Sequence, residues 1–395
     1  MKKLMMVMGA LAALVMSGCV ESGCRDCGCG AAVPAAKPFG VTAKGEKVSL
    51  YTLKGAGGLT LEVLDFGGRV VRCWVPDKAG RLADVTLGFG TVGEYEKNGF
   101  SVGPLIGRFG NRIRDGKFTL DGKEYQLAIN ESKPAPRHCN LHSGPEGWDS
   151  KIWKARPFVE GECCSRVVGL ELSIVSPDGD MGFPGTVACK VTYRVLPNNT
   201  WVLDYEATTD KPTVINATQH GYWNMAGEAS GNVLGQELQI FADKWTRTDD
   251  GLIPVKDEPV KGTGFDFTQM CKIGSKLEWM SAQPSLKCTD NWFDHNFALR
   301  GKVGEMHPAF AMRDPAGGRR LDVWTTEPCL QVYGSQNFDG TMASKTPGKT
   351  YPQYAGLVFE TQHYPDSPNH PEFPSTVLRP GETYRSHSEY RFTAE

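Results

Sequence analysis

The side chains able to do acid–base chemistry fall in a few short segments. Glu360 closes the apolar run Gly356-Leu357-Val358-Phe359. A carboxylate at the end of a buried strand is costly unless paired or hydrogen-bonded, which makes it a candidate for a tuned pKa. The eight histidines are few enough to weigh singly. His142 lies in Asn140-Leu141-His142-Ser143-Gly144-Pro145, and His220 in Thr218-Gln219-His220-Gly221-Tyr222-Trp223-Asn224. Asp294 and His295 are enclosed by aromatic residues in Phe293-Asp294-His295-Asn296-Phe297, and Arg108 and Arg112 flank Asn111 in Gly107-Arg108-Phe109-Gly110-Asn111-Arg112-Ile113. A carboxylate and an imidazole facing one substrate supply a base and an acid near neutral pH. Each residue alone also has a structural reading. A lone histidine in a strand-rich domain is most often a satisfied core residue. Glu360 alone would serve as an ion-pair partner, and the two arginines as partners of surface acids.

The elements that must position these groups are strands. Phe118, Leu120, Tyr125, Leu127 and Ile129 alternate with polar residues around Asp121-Gly122, a two-residue hairpin turn. A second hairpin runs from Val187 to Ala207, turning at Pro197-Asn198-Asn199. Arg320 to Tyr333 holds Leu321, Val323 and Val332 around a Glu327-Pro328 break, and only Gly274 to Met280 hints at a short helix. With 46 Gly and 25 Pro, many short strands and frequent turns predict an all-β chain, a large antiparallel sandwich or barrel. One sheet must be curved enough to hold a ligand.

The chain has 395 residues, 40% hydrophobic and 22% charged, with net charge −2. A packed core is expected. A nucleic-acid partner is not, since none of the basic excess it would need is present. Lys2 and Lys3, the apolar run Leu4 to Met16 and Ser17-Gly18-Cys19 form an export signal. The run is too short to span a bilayer as a mature helix. Its Ser-Gly-Cys ending resembles a bacterial lipoprotein signal, with Cys19 lipidated and Met16 where Leu is usual; a plain cleaved signal is the alternative. Residues 1–18 are therefore read as signal, 19–38 as a Cys/Ala/Gly-rich tether and 39–395 as one catalytic domain in the periplasm or cell envelope, touching membrane only through a lipid at Cys19. Cys24, Cys27 and Cys29 lack the second ligand pair that a zinc site needs, so no metal is expected. The other cysteines are open to disulfide pairing or to burial as thiols.

In series, these segments resemble the aldose 1-epimerase (galactose mutarotase) family. The likeness runs from about Val41 to the C-terminus, in the family's order. It is carried by Gly107-Arg108-x-x-Asn111-Arg112-Ile113, Asn140-Leu141-His142-x-Gly144, Ser176-Pro177-Asp178-Gly179 with Gly182-Phe183-Pro184-Gly185, Gln219-His220-x-Tyr222-Trp223-Asn224, Phe293 to Phe297, and above all Glu360-Thr361-Gln362-His363-Tyr364-Pro365-Asp366-Ser367-Pro368-Asn369. The resemblance implies a large antiparallel β-sandwich, the supersandwich of galactose mutarotases. It implies Glu360 as general base, His220 as general acid and His142 assisting at the sugar. It places Asn111, Arg112, Asp294 and Gln331, with Arg108 from the same motif, around the hydroxyls of a free aldose. The protein is expected as monomer or homodimer. Ser143 and Gln219 depart from the family's Gly and Asn, and Gly221-Tyr222-Trp223 from its Ser-Tyr-Phe; these changes are expected in the pocket wall, where they would bear on sugar preference.

The implied chemistry suits these groups. Interchanging anomers of a cyclic aldose opens the ring: the C1 hydroxyl loses a proton while the ring oxygen gains one, C1 rotates, and the ring closes again. One base and one acid suffice, and no cofactor is needed. Aromatic rings beside His220 suit the apolar faces of a pyranose. Three rival readings share the fold. A hexose-6-phosphate epimerase would want extra arginines and a cytoplasmic location. A glycoside hydrolase would use Glu360 and Asp294 as paired carboxylates. A noncatalytic carbohydrate-binding protein would need the aromatics and Asp294 but no acid–base pair.

Overall fold

The computed structural model describes residues 32–162 and 165–395. The export signal, Cys19, Cys24, Cys27, Cys29, Cys163 and Cys164 lie outside the described residues. The chain is built from antiparallel strands in two large sheets. The nine-stranded sheet has the order Lys154–Glu160, Val167–Ser176, Val187–Val195, Thr200–Thr209, Tyr384–Ala394, Arg319–Thr325, His307–Arg313, Glu237–Ile240, Cys271–Lys272. The six-stranded sheet runs Tyr222–Trp223, Leu357–Gln362, Cys329–Tyr333, Asp294–Leu299, Ala242–Thr248, Pro254–Pro259. A five-stranded N-terminal sheet begins with Lys37–Val41. Lys37 and Pro38, expected in the tether, already pair with Leu50 and Ser49.

The expected hairpins form. Lys117–Leu120 pairs with Lys123–Gln126, and the turn residues Asp121 (φ 52°) and Gly122 (φ 78°) are both left-handed, as a turn matching strand twist requires. Val187–Val195 pairs with Thr200–Thr209. Glu327-Pro328 marks a crossing: Arg319–Thr325 belongs to the nine-stranded sheet and Cys329–Tyr333 to the six-stranded one. The expected short helix is a 3-10 turn, Ile273–Lys276, continued by Leu277–Ser281. A second helix, Val92–Lys97, was not expected; it starts with a capping box between Thr91 and Glu94, a pattern present in the sequence. Cys73, Cys139, Cys189, Cys271, Cys288 and Cys329 are unpaired thiols, which favours the burial reading for that group.

Side-chain alternation along the six-stranded sheet separates core from site. Leu357, Phe359, Leu330, Val332, His295 and Phe297 face the nine-stranded sheet. There Leu357, Phe359, Leu330, Val332 and Phe297 join one hydrophobic core with Leu172, Val191 and Leu203, and the Phe359 ring stacks on Phe310 with centroids 3.8 Å apart. The intervening residues Glu360, Gln331 and Asp294 are therefore turned to the opposite face. His295 is packed between Trp245 and Phe265, a structural role. Phe359 sets the register that delivers Glu360. Phe359→Ala is expected to destabilise the fold by about 3–5 kcal/mol, read as a lowered urea midpoint with unchanged m-value.

Candidate active site

On that opposite face lies an open cavity of about 720 Å³. Glu360, His220, His142, Asp294, Arg112 and Asn111 all line it, so six of the eight predicted site residues meet there. Glu360 is 2% exposed and His220 5%. Glu360 Oε1 stands 3.7 Å from His220 Nε2, and Glu360 Oε2 has no protein hydrogen-bond partner. A fully buried carboxylate oxygen without a partner is rare unless it serves a ligand.

Each of the other groups is aimed by local backbone. Asn111 and His142 both have left-handed φ, 64° and 53°. The Asn111 N–H donates to His142 Nδ1 at 3.1 Å, the Asn111 carbonyl accepts from the His142 N–H at 3.1 Å, and Asn111 Oδ1 accepts from the Arg112 N–H at 2.9 Å. Because a backbone amide can only donate, His142 Nδ1 must be the lone-pair nitrogen, and neutral His142 carries its proton on Nε2. His220 is held by main-chain bonds on both sides, to Pro104 and Gly103, and its ring meets that of His142 edge-on at 5.2 Å. Arg112 makes a two-point pair with Glu131, 2.6 and 3.0 Å, and a single 3.3 Å contact with Asp294. Gln331 Nε2 donates to the other Asp294 oxygen at 2.7 Å. Gln331 thus stands behind Asp294 rather than among the cavity-lining residues.

Burial governs the protonation of the pair. Desolvation, reinforced by the Asp294 charge and only partly opposed by Arg112, pushes Glu360 up to about 8. Desolvation pulls His220 down to about 4, against main-chain hydrogen bonding and Asp294. His142 is held well below its ordinary value by burial, then by His220 and Arg112. The ligand atoms of His142, His220 and Glu360 lie within 4.8 Å of one another, the one such group of metal-ligating type among the described residues. With its proton fixed on Nε2, His142 offers a donor there instead of a lone pair, which suits a hydroxyl oxygen better than a cation.

A family model described as aldose 1-epimerase matches residues 49–391. The galactose mutarotase of Homo sapiens is 37% identical over 336 residues, covering 85% of this chain and 91% of that protein. The aldose 1-epimerase of Escherichia coli is 34% identical over 354 residues, covering 89% and 97%. Among solved structures, an aldose epimerase homologue from C. elegans superposes with TM-score 0.76 at 28% identity over 88% of this chain and 99% of that one. A galactose 1-epimerase from Lactobacillus acidophilus gives 0.77 at 24% identity over 92% and 99%, a likeness of fold. The chain belongs to the aldose 1-epimerase family. It is an enzyme that interconverts the anomers of an aldose, on an all-β sandwich.

The structure departs from two of the expected placements. Arg108 is not a sugar-binding group. It is 2% exposed and points away from the cavity, its guanidinium donating to Ser176 Oγ and to the carbonyls of Ser176, Pro177 and Pro184 at 2.7–2.9 Å. The Ser-Pro-Asp-Gly and Gly-Phe-Pro-Gly segments are its receptor, which explains why the three motifs occur together. The departures Ser143 and Gln219 are not in the pocket wall either. Ser143 Oγ accepts from the Phe109 N–H at 2.6 Å and donates to the Phe109 carbonyl at 3.2 Å. Gln219 spans Gly103 O and Gly221 N. Both brace main chain, so neither bears directly on sugar preference. Of the aromatic pair beside His220, Tyr222 lines the cavity while Trp223 joins the sandwich core. Glu131 and Tyr333 also line the cavity. Tyr333 follows from alternation with Gln331, whereas Glu131, in a loop, has no periodic signal.

Proposed function

We propose that this chain opens and closes the ring of a free hexose, galactose or glucose, with Glu360 and His220 as the proton-exchanging pair and His142, Asn111, Arg112 and Asp294 holding the sugar. The observation that carries this is the 3.7 Å approach of Glu360 Oε1 to His220 Nε2 inside the cavity. In the free site at neutral pH the pair holds one proton, on Glu360. That arrangement closes an open-chain sugar: Glu360 gives its proton to the carbonyl oxygen on C1 while His220 takes the proton of the C5 hydroxyl as C–O forms. The same proton count with the charge separated, carboxylate and imidazolium, opens the ring by the reverse steps. The two forms differ only by which partner carries the proton. The His142 Nε2–H points a donor at a sugar oxygen, and Arg112 and Asp294 hold hydroxyls so that C1 faces Glu360. The name of the human relative, a galactose mutarotase, supports a hexose substrate.

Export fits the same reading. Lys2-Lys3, the apolar run and Ser17-Gly18-Cys19 support a lipoprotein of the periplasm or cell envelope, anchored through Cys19, that meets sugars before uptake.

Three outcomes test this. Glu360→Gln should lower the polarimetric rate about 10³-fold with the thermal midpoint retained; a near-wild-type rate would sink the assignment. For wild type, kcat/KM should be flat between about 4 and 8. It should fall below that range, where His220 gains a second proton for the pair, and above it, where Glu360 loses the only one. A single ionisation near pH 6 would contradict it. Finally, the wild-type chain should take up labelled fatty acid and Cys19→Ala should not; labelling of neither would leave a plain cleaved signal, and labelling of both would overturn Cys19 as the anchor.

A further inference from the structure

Glu131 has no role in the chemistry above, yet four polar groups converge on its carboxylate region. It ends a segment that the chain leaves and rejoins: the Glu131 N–H donates to Cys139 O at 3.3 Å and the Cys139 N–H to Glu131 O at 3.0 Å, closing residues 132–138 into a loop. From this base Oε2 accepts from Arg112 Nε at 2.6 Å and Cys139 Sγ at 3.1 Å, and Oε1 from Arg112 Nη2 at 3.0 Å and Arg137 Nη1 at 3.1 Å. Arg137 in turn ties the loop to the carbonyl of Cys288 at 2.6 Å, next to the cavity-lining Thr289 and Asp290. The side chains of Arg112 and Glu131 are 6% and 11% exposed.

We propose that Glu131 is a positioning residue for the acid–base pair, occupying the fork of Arg112 so that Asp294 is left only partly neutralised beside Glu360. A guanidinium prefers two parallel bonds to one carboxylate. With Asp294 as its only carboxylate, Arg112 would turn that fork onto Asp294. Glu131 takes the fork instead, leaving Asp294 the single 3.3 Å contact and freeing its charge to act on Glu360 and His220. Arg137 limits how strongly Glu131 draws on Arg112. Burial pushes the Glu131 carboxyl up, but Arg112 outweighs it and holds it down to about 2, so this charge is present throughout the working range. The groups facing Glu360 are Asp294, Arg112, His220 and His142, with the phenols of Tyr222 and Tyr333 pushed up by burial and hence neutral. Asp290 and Asp149 line the cavity beyond them. Those facing Glu131 are Arg112, Arg137 and the Cys139 thiol, which burial also keeps protonated.

The proposal rests on Glu360 setting the alkaline limb of kcat/KM, which Glu360→Gln tests separately. Galactose mutarotation by Glu131→Gln and Arg137→Met is measured by polarimetry across pH, with thermal midpoints. In Glu131→Gln, Arg112 turns onto Asp294, the field at Glu360 becomes more positive, and the alkaline limb should move down by on the order of one pH unit. KM should rise about tenfold as the sugar loses its aimed arginine. In Arg137→Met, Glu131 loses a cationic partner and draws harder on Arg112, so the limb should move up. A Glu131→Gln limb coincident with wild type overturns the proposal, as does an Arg137→Met limb that is unmoved or shifted down. If Glu131→Gln does not fold, the Arg137→Met limb alone decides. A purely structural role would lower the thermal midpoint and leave both limbs where they are.

Discussion

Everything at this site follows from burying one carboxylate. Strand geometry turns Phe359 into the sandwich and Glu360 out of it, and the register that seats one fixes the other. An ionised carboxylate in such a place loses its water, and the proton is retained until about pH 8. Full neutralisation by a cation would remove that property. The structure supplies a graded field instead: Asp294 opposes ionisation, Arg112 favours it, and Arg112 is itself held by Glu131. On the proposed reading, the acid–base pair is tuned by a chain of charges rather than by one contact.

Holding these groups in line demands unusual backbone around the cavity. Asn111, His142 and Ser143 all have positive φ. For residues with a side chain this costs about 1 kcal/mol each, and the surroundings offset it. Asn111 engages His142 through both main-chain groups and Arg112 through its side chain. Ser143 would be a poorer choice than glycine on conformational grounds alone, but its hydroxyl bonds both main-chain groups of Phe109. The histidine is therefore fixed by a strained but heavily cross-linked turn, which suits a ring that must present one tautomer.

Period-two patterning and turn chemistry made the sandwich legible, because alternation and paired left-handed turn residues are local properties. The same alternation separates Asp294 from His295, but only once it is known which face meets the second sheet. Arg108 misled because its motif neighbours Asn111 and Arg112 do line the cavity; a fully buried arginine satisfied by carbonyls carries no charge signal in sequence. Glu131 stayed hidden for the opposite reason. Its partner Arg112 is 19 residues away, across a loop whose closure depends on main-chain bonds to Cys139 rather than on any pattern of side chains. Helix Val92–Lys97 shows that a short capping box is readable but easily outweighed by the surrounding strand signal.

The site also explains why a buried pair serves this reaction and would serve hydrolysis poorly. Anomer interchange returns every proton it takes. In the proposed roles, Glu360 and His220 exchange one proton with the sugar and recover it, so no group needs to reach solvent during turnover, and low dielectric strengthens each interaction without trapping the enzyme in a spent state. A hydrolase with Glu360 as acid would need its second carboxylate free to attack C1 or to activate a water. Asp294 is the carboxylate whose charge acts on Glu360, and its two oxygens already accept from Gln331 and Arg112. That engagement suits the hydroxyl-orienting role proposed for it. The partner standing nearest Glu360 is an imidazole that can alternately give and take the ring-oxygen proton, the division of labour that ring opening and closure require.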